Sequence, residues 1–133
     1  MMGAMRCTSE RDVKKYIKQL LDKHGWVHWM TPANGYGKSG ISDHSALRGG
    51  VFLAVEAKFG DNKPTPLQVA YLNNVLHQDG FGFVVNEKTL FNFQCWLEAF
   101  DRAAEAAARS QEVSPDDGAM MLNAIKAMTE VLA

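Results

Sequence analysis

The apolar positions of this chain change period several times, and each change marks an element. Val13, Tyr16, Ile17, Leu20 and Leu21 recur at helical spacing, which puts them on one face of a helix. Thr8 or Ser9 can cap it, Asp12 follows Ser9 by three in a capping-box-like start, and Gly25 ends it. Trp26 to Met30 is aromatic and apolar and predicts a strand. Thr31 to Ser42 (TPANGYGKSGIS) holds three glycines and a proline and predicts a mobile loop. Asp43 to Leu47 reads as a second strand, Arg48-Gly49-Gly50 as a turn, and Val51 to Lys58 as a third strand.

A Gly/Asp/Asn/Pro loop from Gly60 to Pro64 comes next. Thr65 then caps a helix with Pro66 at its first position, where the missing N–H costs nothing. Leu67, Ala70, Tyr71 and Val75 form the apolar face of that helix, widened by Leu72 and Leu76, and Gly80 stops it. Phe81 to Val85 predicts a fourth strand. A long helix is expected from about Glu87 to Arg109, aromatic at first and then alanine-rich. Its Phe91, Phe93, Trp96, Leu97 and Phe100 are too many for one surface-helix face, which implies core packing for most of them and leaves a dimer seam for the rest. Ser114-Pro115 opens a last helix with Ala119, Leu122, Ile125, Met128 and Leu132 as its apolar stripe.

The order is therefore α-β-β-β-α-β-α-α. A helical crossover between the third and fourth strands makes those two parallel. The expectation is an α/β fold: a mixed β-sheet flanked by helices, with a C-terminal helical extension. Residues 1–110 are expected to form the main domain, and residues 111–133 a helix that docks on it or meets another chain.

With 133 residues, 47% of them hydrophobic, the chain can bury a core without disulfide staples. Cys7 and Cys95 are far apart and in no metal-ligand spacing, which points to free thiols in a reducing compartment. No apolar run is long enough to cross a bilayer, and MMGAM at the start has neither a basic nor an apolar leader segment. A cytoplasmic setting follows, without a membrane partner. The net charge of −1 argues against a nucleic-acid binder. Its distribution tempers that: residues 1–70 hold ten basic against six acidic residues, and residues 71–133 hold four against nine. A local basic surface is compatible with such a division.

The chemistry concentrates where the third strand ends. Glu56 and Lys58 stand two apart, so both emerge on one face of a strand that is otherwise apolar. If the second and third strands form a hairpin about Arg48-Gly49-Gly50, Asp43 lies opposite that end. Two carboxylates brought together repel and call for a positive charge between them. Lys58 alone satisfies this as a structural three-charge network. A hard divalent cation satisfies it too, since Mg²⁺ takes one or two carboxylates along with water and phosphate oxygens. Gln68, in the first turn of the following helix, can reach back toward the strand end or simply face solvent. Glu10 occupies the matching place in the first helix, where a first-turn charge also complements the helix dipole.

Taken together, G-x-x-D (Gly40 to Asp43), a short hairpin, E-x-K (Glu56 to Lys58), a Gly-rich turn and T-P-x-Q (Thr65 to Gln68) resemble the PD-(D/E)xK nuclease superfamily. More narrowly the pattern is similar to the small VRR-NUC group, familiar in phages and related to Holliday junction resolvases. It covers roughly Glu10 to Val85. It departs at Ser42, where the family carries a proline that shapes the backbone and does no chemistry.

The resemblance implies a restriction-endonuclease-like core and a metal-dependent endodeoxyribonuclease. Asp43 and Glu56 would hold Mg²⁺ or Mn²⁺ with the carbonyl of Ala57, and Lys58 would orient the attacking water or neutralise phosphate charge. Gln68 would position the lysine or the water, and Glu10 would complete the acidic cluster through water or a second metal. The product would carry a 5′-phosphate and a 3′-hydroxyl. Branched, flapped or junction DNA is the implied substrate, a homodimer would offer two sites to two strands, and a phage-encoded chain would act in the host cytoplasm. Two alternatives stand beside it: a non-catalytic DNA-binding or assembly module on the same fold, and an RNA-processing nuclease with the same site.

Other residues are weaker candidates. Tyr36 and Lys38 in the glycine-rich loop suit base stacking and phosphate contact, or merely keep the loop solvated. Arg48 and Lys63 flank the hairpin as candidate phosphate contacts. His44 should point to the face opposite Asp43 and is expected as a packed or exposed histidine. His24 and His28 have the spacing of a zinc pair, but Gly25 breaks the helix that spacing needs, so no zinc site is expected.

Overall fold

The computed structural model describes residues 5–31, 40–109 and 114–132. Helix α1 (Glu10–Lys23) is capped by the Ser9 hydroxyl, which accepts from the Asp12 N–H, and buries Val13, Ile17, Leu20 and Leu21. Strands β1 (Val27–Met30), β2 (His44–Arg48) and β3 (Val51–Ala57) form an antiparallel run. Helix α2 (Pro66–His77) then crosses over to β4 (Phe81–Val85), which lies parallel to β3. The sheet order is β1-β2-β3-β4. Helices α3 (Leu90–Ala108) and α4 (Pro115–Thr129) follow, with a short 3₁₀ turn at Glu130–Leu132. The fold is α/β, with a mixed four-stranded sheet and four α-helices among the described residues. No helix there is long and apolar enough to cross a membrane.

Alternation along β3 sorts the layers. Leu53, Val55 and Ala57 face the main core, with α1, Phe83 and Val85 of β4, and the aromatic stretch of α3. Ala54 faces the other way, toward Leu72 of α2 and Val84. Gly82 lets α2 come this close, because a Cβ there would lie 2.9 Å from the Leu72 carbonyl oxygen. Helix α2 packs on β3 and β4, and Val27, Trp29 and Leu47 of the other two strands are exposed.

Trp96 anchors the main core, with ring centroids 5.0 Å from both Phe81 and Phe83 and 5.4 Å from Phe100. Phe93 and Leu97 are buried beside it, whereas Phe91 turns outward. Helix α3 starts at Leu90, three residues later than expected, because the Asn86 side chain accepts the N–H groups of Lys88 and Thr89 and folds that segment into a turn. The Glu87 carboxylate is thereby free to accept the Gly60 N–H at 2.8 Å and tie down the loop after β3.

Helix α4 packs on α3 and β4, but through a rotated stripe. Ala124 and Met128 are buried, with Met121 and Ile125 beside them. Ala119 and Leu122, expected on the inner face, are exposed. The helix has apolar residues on more than one side, so periodicity left its rotation open. The Asp117–Arg102 ion pair at 2.5 Å ties it to α3 in the observed setting.

Candidate active site

The hairpin register runs from Arg48 opposite Val51 to His44 opposite Val55. One step further brings Asp43 against Glu56 at the open end of the β2–β3 hairpin. The Asp43 N–H donates to Glu56 Oε2 at 3.2 Å, and the Ala57 N–H donates to Asp43 Oδ2 at 3.0 Å. The two carboxylates are thus each held by the other strand's end. Gly40 makes the approach to Asp43 possible: its φ is +87°, and a Cβ there would stand 2.8 Å from Leu67 Cβ at the start of α2. Ser42 is buried and bonded through its hydroxyl to the His44 carbonyl.

Gln68 joins this pair from α2. Its Oε1 accepts the Thr65 N–H at 2.8 Å while Thr65 Oγ1 accepts the Gln68 N–H at 3.2 Å, a reciprocal capping box. With its oxygen committed to the cap, the amide turns its NH₂ to Glu56 Oε1 at 3.0 Å. Lys58 Nζ lies 3.5 Å from the same oxygen.

Glu56 is 2% exposed. Burial and then the neighbouring charge of Asp43 raise its pKa to about 8, with Lys58 opposing. A dication between Asp43 and Glu56 would relieve the repulsion between the two carboxylates. The donor set therefore fits Mg²⁺ or Mn²⁺ with water completing the shell. In a strand the N–H and C=O of one residue leave on the same side, so the Ala57 carbonyl is aimed the same way as the N–H on Asp43.

Glu10 is not in direct reach of this pair. Lys14 Nζ sits between them, 3.4 Å from Glu10 Oε2 and 3.6 Å from Asp43 Oδ1. Among the described residues no group of three or more His, Cys, Asp or Glu gathers as a metal site. Burial pulls the Lys14 pKa down, but Asp43 and Glu10 together outweigh it and leave it raised. Sequence reasoning missed Lys14. The available signal was its place four residues after Glu10, which puts both on one side of α1.

The other candidates are scattered. Lys63 is exposed in the loop between β3 and α2. Arg48 stands at the opposite end of the hairpin, roughly 16 Å along the strand at about 3.3 Å per residue. There it is ion-paired with Asp101 of α3 and lies over the Phe100 ring. Tyr36 and Lys38 lie outside the described residues. His44 points to the α1 face, fully buried, and burial lowers its pKa to about 4. His24 pairs with Asp101 at 2.5 Å and His28 with Asp22 at 2.6 Å, each with its own carboxylate. Compared with family models and with curated proteins, the chain matches none.

Proposed function

We propose that the chain is a Mg²⁺- or Mn²⁺-dependent endodeoxyribonuclease of the PD-(D/E)xK type. One observation carries the reading: Asp43 and Glu56 meet at the hairpin's open end, with Lys58, just past the end of β3, beside Glu56 and Gln68 bracing it from α2. The element order and the antiparallel, antiparallel, parallel strand pairing agree with a restriction-endonuclease-like core.

Bound between Asp43 and Glu56, the dication would supply Lewis-acid activation of the water and of the scissile phosphate. This chain's own residues would do the rest. The Ala57 N–H fixes one Asp43 oxygen and so orients the carboxylate. Gln68 holds one Glu56 oxygen, which keeps the second carboxylate from swinging toward solvent. The Lys58 ammonium, mostly buried against Glu56, would shift onto the phosphate and stabilise the charge that builds up on its oxygens. The glycine at position 40 brings the segment before Asp43 onto the start of α2.

The test is cleavage of labelled linear, flapped and four-way DNA in Mg²⁺, Mn²⁺ or EDTA, with Asp43→Asn and Lys58→Met alongside. Metal-dependent cleavage lost in both variants supports the reading, and the preferred DNA shape names the substrate. Folded wild type that binds DNA and cuts none of the three would replace it with the non-catalytic binding module.

A further inference from the structure

The exposed side of α1 carries more positive charge than its helix would choose. Arg11, Lys14, Lys15 and Lys18 stand at i, i+3, i+4 and i+7 and line one cavity of about 750 Å³ that Met30 of the edge strand closes. Arg11–Lys15 and Lys14–Lys18 are like-charged pairs four apart, a spacing that works against the helix. The acid in the same cavity, Asp12, is turned onto Thr8, accepting from its N–H at 2.8 Å and its hydroxyl at 3.0 Å. Among the described residues Arg11, Lys15 and Lys18 close no ion pair, and Asp12 alone acts on Arg11 and Lys15 through space. Four cations thus line one groove against a single acid, Asp12, and Lys14 connects that groove to Asp43 at 3.6 Å.

We infer that this groove seats the phosphate backbone of a DNA strand and leads it to Asp43 and Glu56. The inference rests on the nuclease reading for what happens at the end of the track, but binding itself does not depend on cleavage. Arg11 and Lys18 are seven residues apart, about 10 Å along the helix. That length matches about three steps of a strand at 3.4 Å each, so two or three phosphates would be neutralised. Arg48, at the far end of the hairpin and already paired, lies off this track.

The test is fluorescence anisotropy of the full chain with a labelled 20-base-pair duplex in EDTA, titrated across KCl concentrations. The variant Arg11→Gln/Lys15→Gln/Lys18→Gln is compared with Lys88→Gln/Lys126→Gln, which changes two cations outside the groove. The α1 variant should bind at least tenfold more weakly near 0.1 M salt, with a slope of log Kd against log salt reduced by about two to three. The control should match wild type. The three single variants, each expected to lower the slope by about one, carry the test if the triple variant fails to fold. Wild type without salt-dependent binding, or α1 variants with wild-type affinity and slope, would overturn the inference. Binding that depends on α1 without any cleavage would overturn the nuclease reading alone. Metal-dependent cleavage with α1 variants indistinguishable from wild type in KM and slope would overturn the groove alone.

Discussion

Gln68 holds Glu56 with one end of its amide and the start of its own helix with the other. Its Nε2 donates to Glu56 Oε1 at 3.0 Å, and its Oε1 accepts the Thr65 N–H at 2.8 Å. A helix cap and a buried carboxylate are therefore coupled through one side chain. Gln68→Ala should cost about 1–2 kcal/mol, the sum of a lost cap contact and a lost bond to a buried carboxyl group. Urea unfolding of Gln68→Ala, Glu56→Gln and the double variant measures the coupling, and strictly additive losses would show that the two ends act independently.

Glu56 sets the pH response of the metal-free protein. Its pKa rises from 4.5 to about 8 on folding, so the folded state holds a proton that the unfolded state has lost between those values. Its contribution to stability is full below about 4.5 and declines as pH rises toward 8. Thermal melts in EDTA should fall between pH 6.5 and 8 for wild type and flatten there for Glu56→Gln. Mg²⁺ should restore wild-type Tm at pH 8 with release of a proton, and should do nothing for Asp43→Asn. A flat wild-type profile between pH 6.5 and 8 would count against the raised pKa of Glu56.

His44 pulls in the opposite direction. It is fully buried, and neither ring nitrogen has a hydrogen-bond partner among the described residues. Burial lowers its pKa from 6.5 to about 4, so the unfolded state binds the extra proton and stability is lost as pH falls through that window. Between 6.5 and 8 Glu56 acts without it, and between 4.5 and 6.5 the two oppose. His44→Leu should be more stable than wild type at pH 5, by about 1 kcal/mol or more. Equal melting temperatures at pH 5 would count against an unsatisfied histidine.

Gly40 is a backbone requirement of the site. Gly40→Ala meets both a φ of +87° and contacts under 3 Å with Leu67. It should cost about 1–3 kcal/mol and move the segment leading into Asp43. Circular dichroism melts give the first effect. DNA cleavage in Mg²⁺ gives the second, and activity should fall further than the lost folded fraction explains. Wild-type activity in a destabilised protein would separate Gly40 from the site.

Much of the fold is legible in one dimension because its causes are local. The helical spacing of Val13, Ile17, Leu20 and Leu21 marks the buried face of α1, and the apolar run from Val51 marks β3. The tight Gly49-Gly50 turn sets the register that carries Asp43 to Glu56, since a hairpin's turn fixes which residues face each other. The capping residues Thr65 and Gln68 are also read directly, because a cap involves neighbours three apart. The late start of α3 was equally local, but Asn86 was not recognised as the turn residue that delays it.

Other features had no local signal. Lys14 reaches Asp43 only because α1 crosses the sheet at one angle, and the same amphipathic helix at another angle would keep its apolar face and lose that contact. Arg48 met Asp101 across fifty-three residues of chain, a pairing set by where α3 lies. The inner stripe of α4 depended on which of several apolar rows fitted the core beside Trp96, and Leu122 faces outward as a result. Sequence alone determined the elements, the inward faces of α1 and β3 and the meeting of Asp43 with Glu56, because periodicity and turns act over a few residues. The apolar face expected for α2 did not hold, since Leu67 and Ala70 are exposed and Leu72 is buried. The tertiary structure decided which charges meet across elements and how α4 is rotated, because those depend on packing angles and distances that no short window contains.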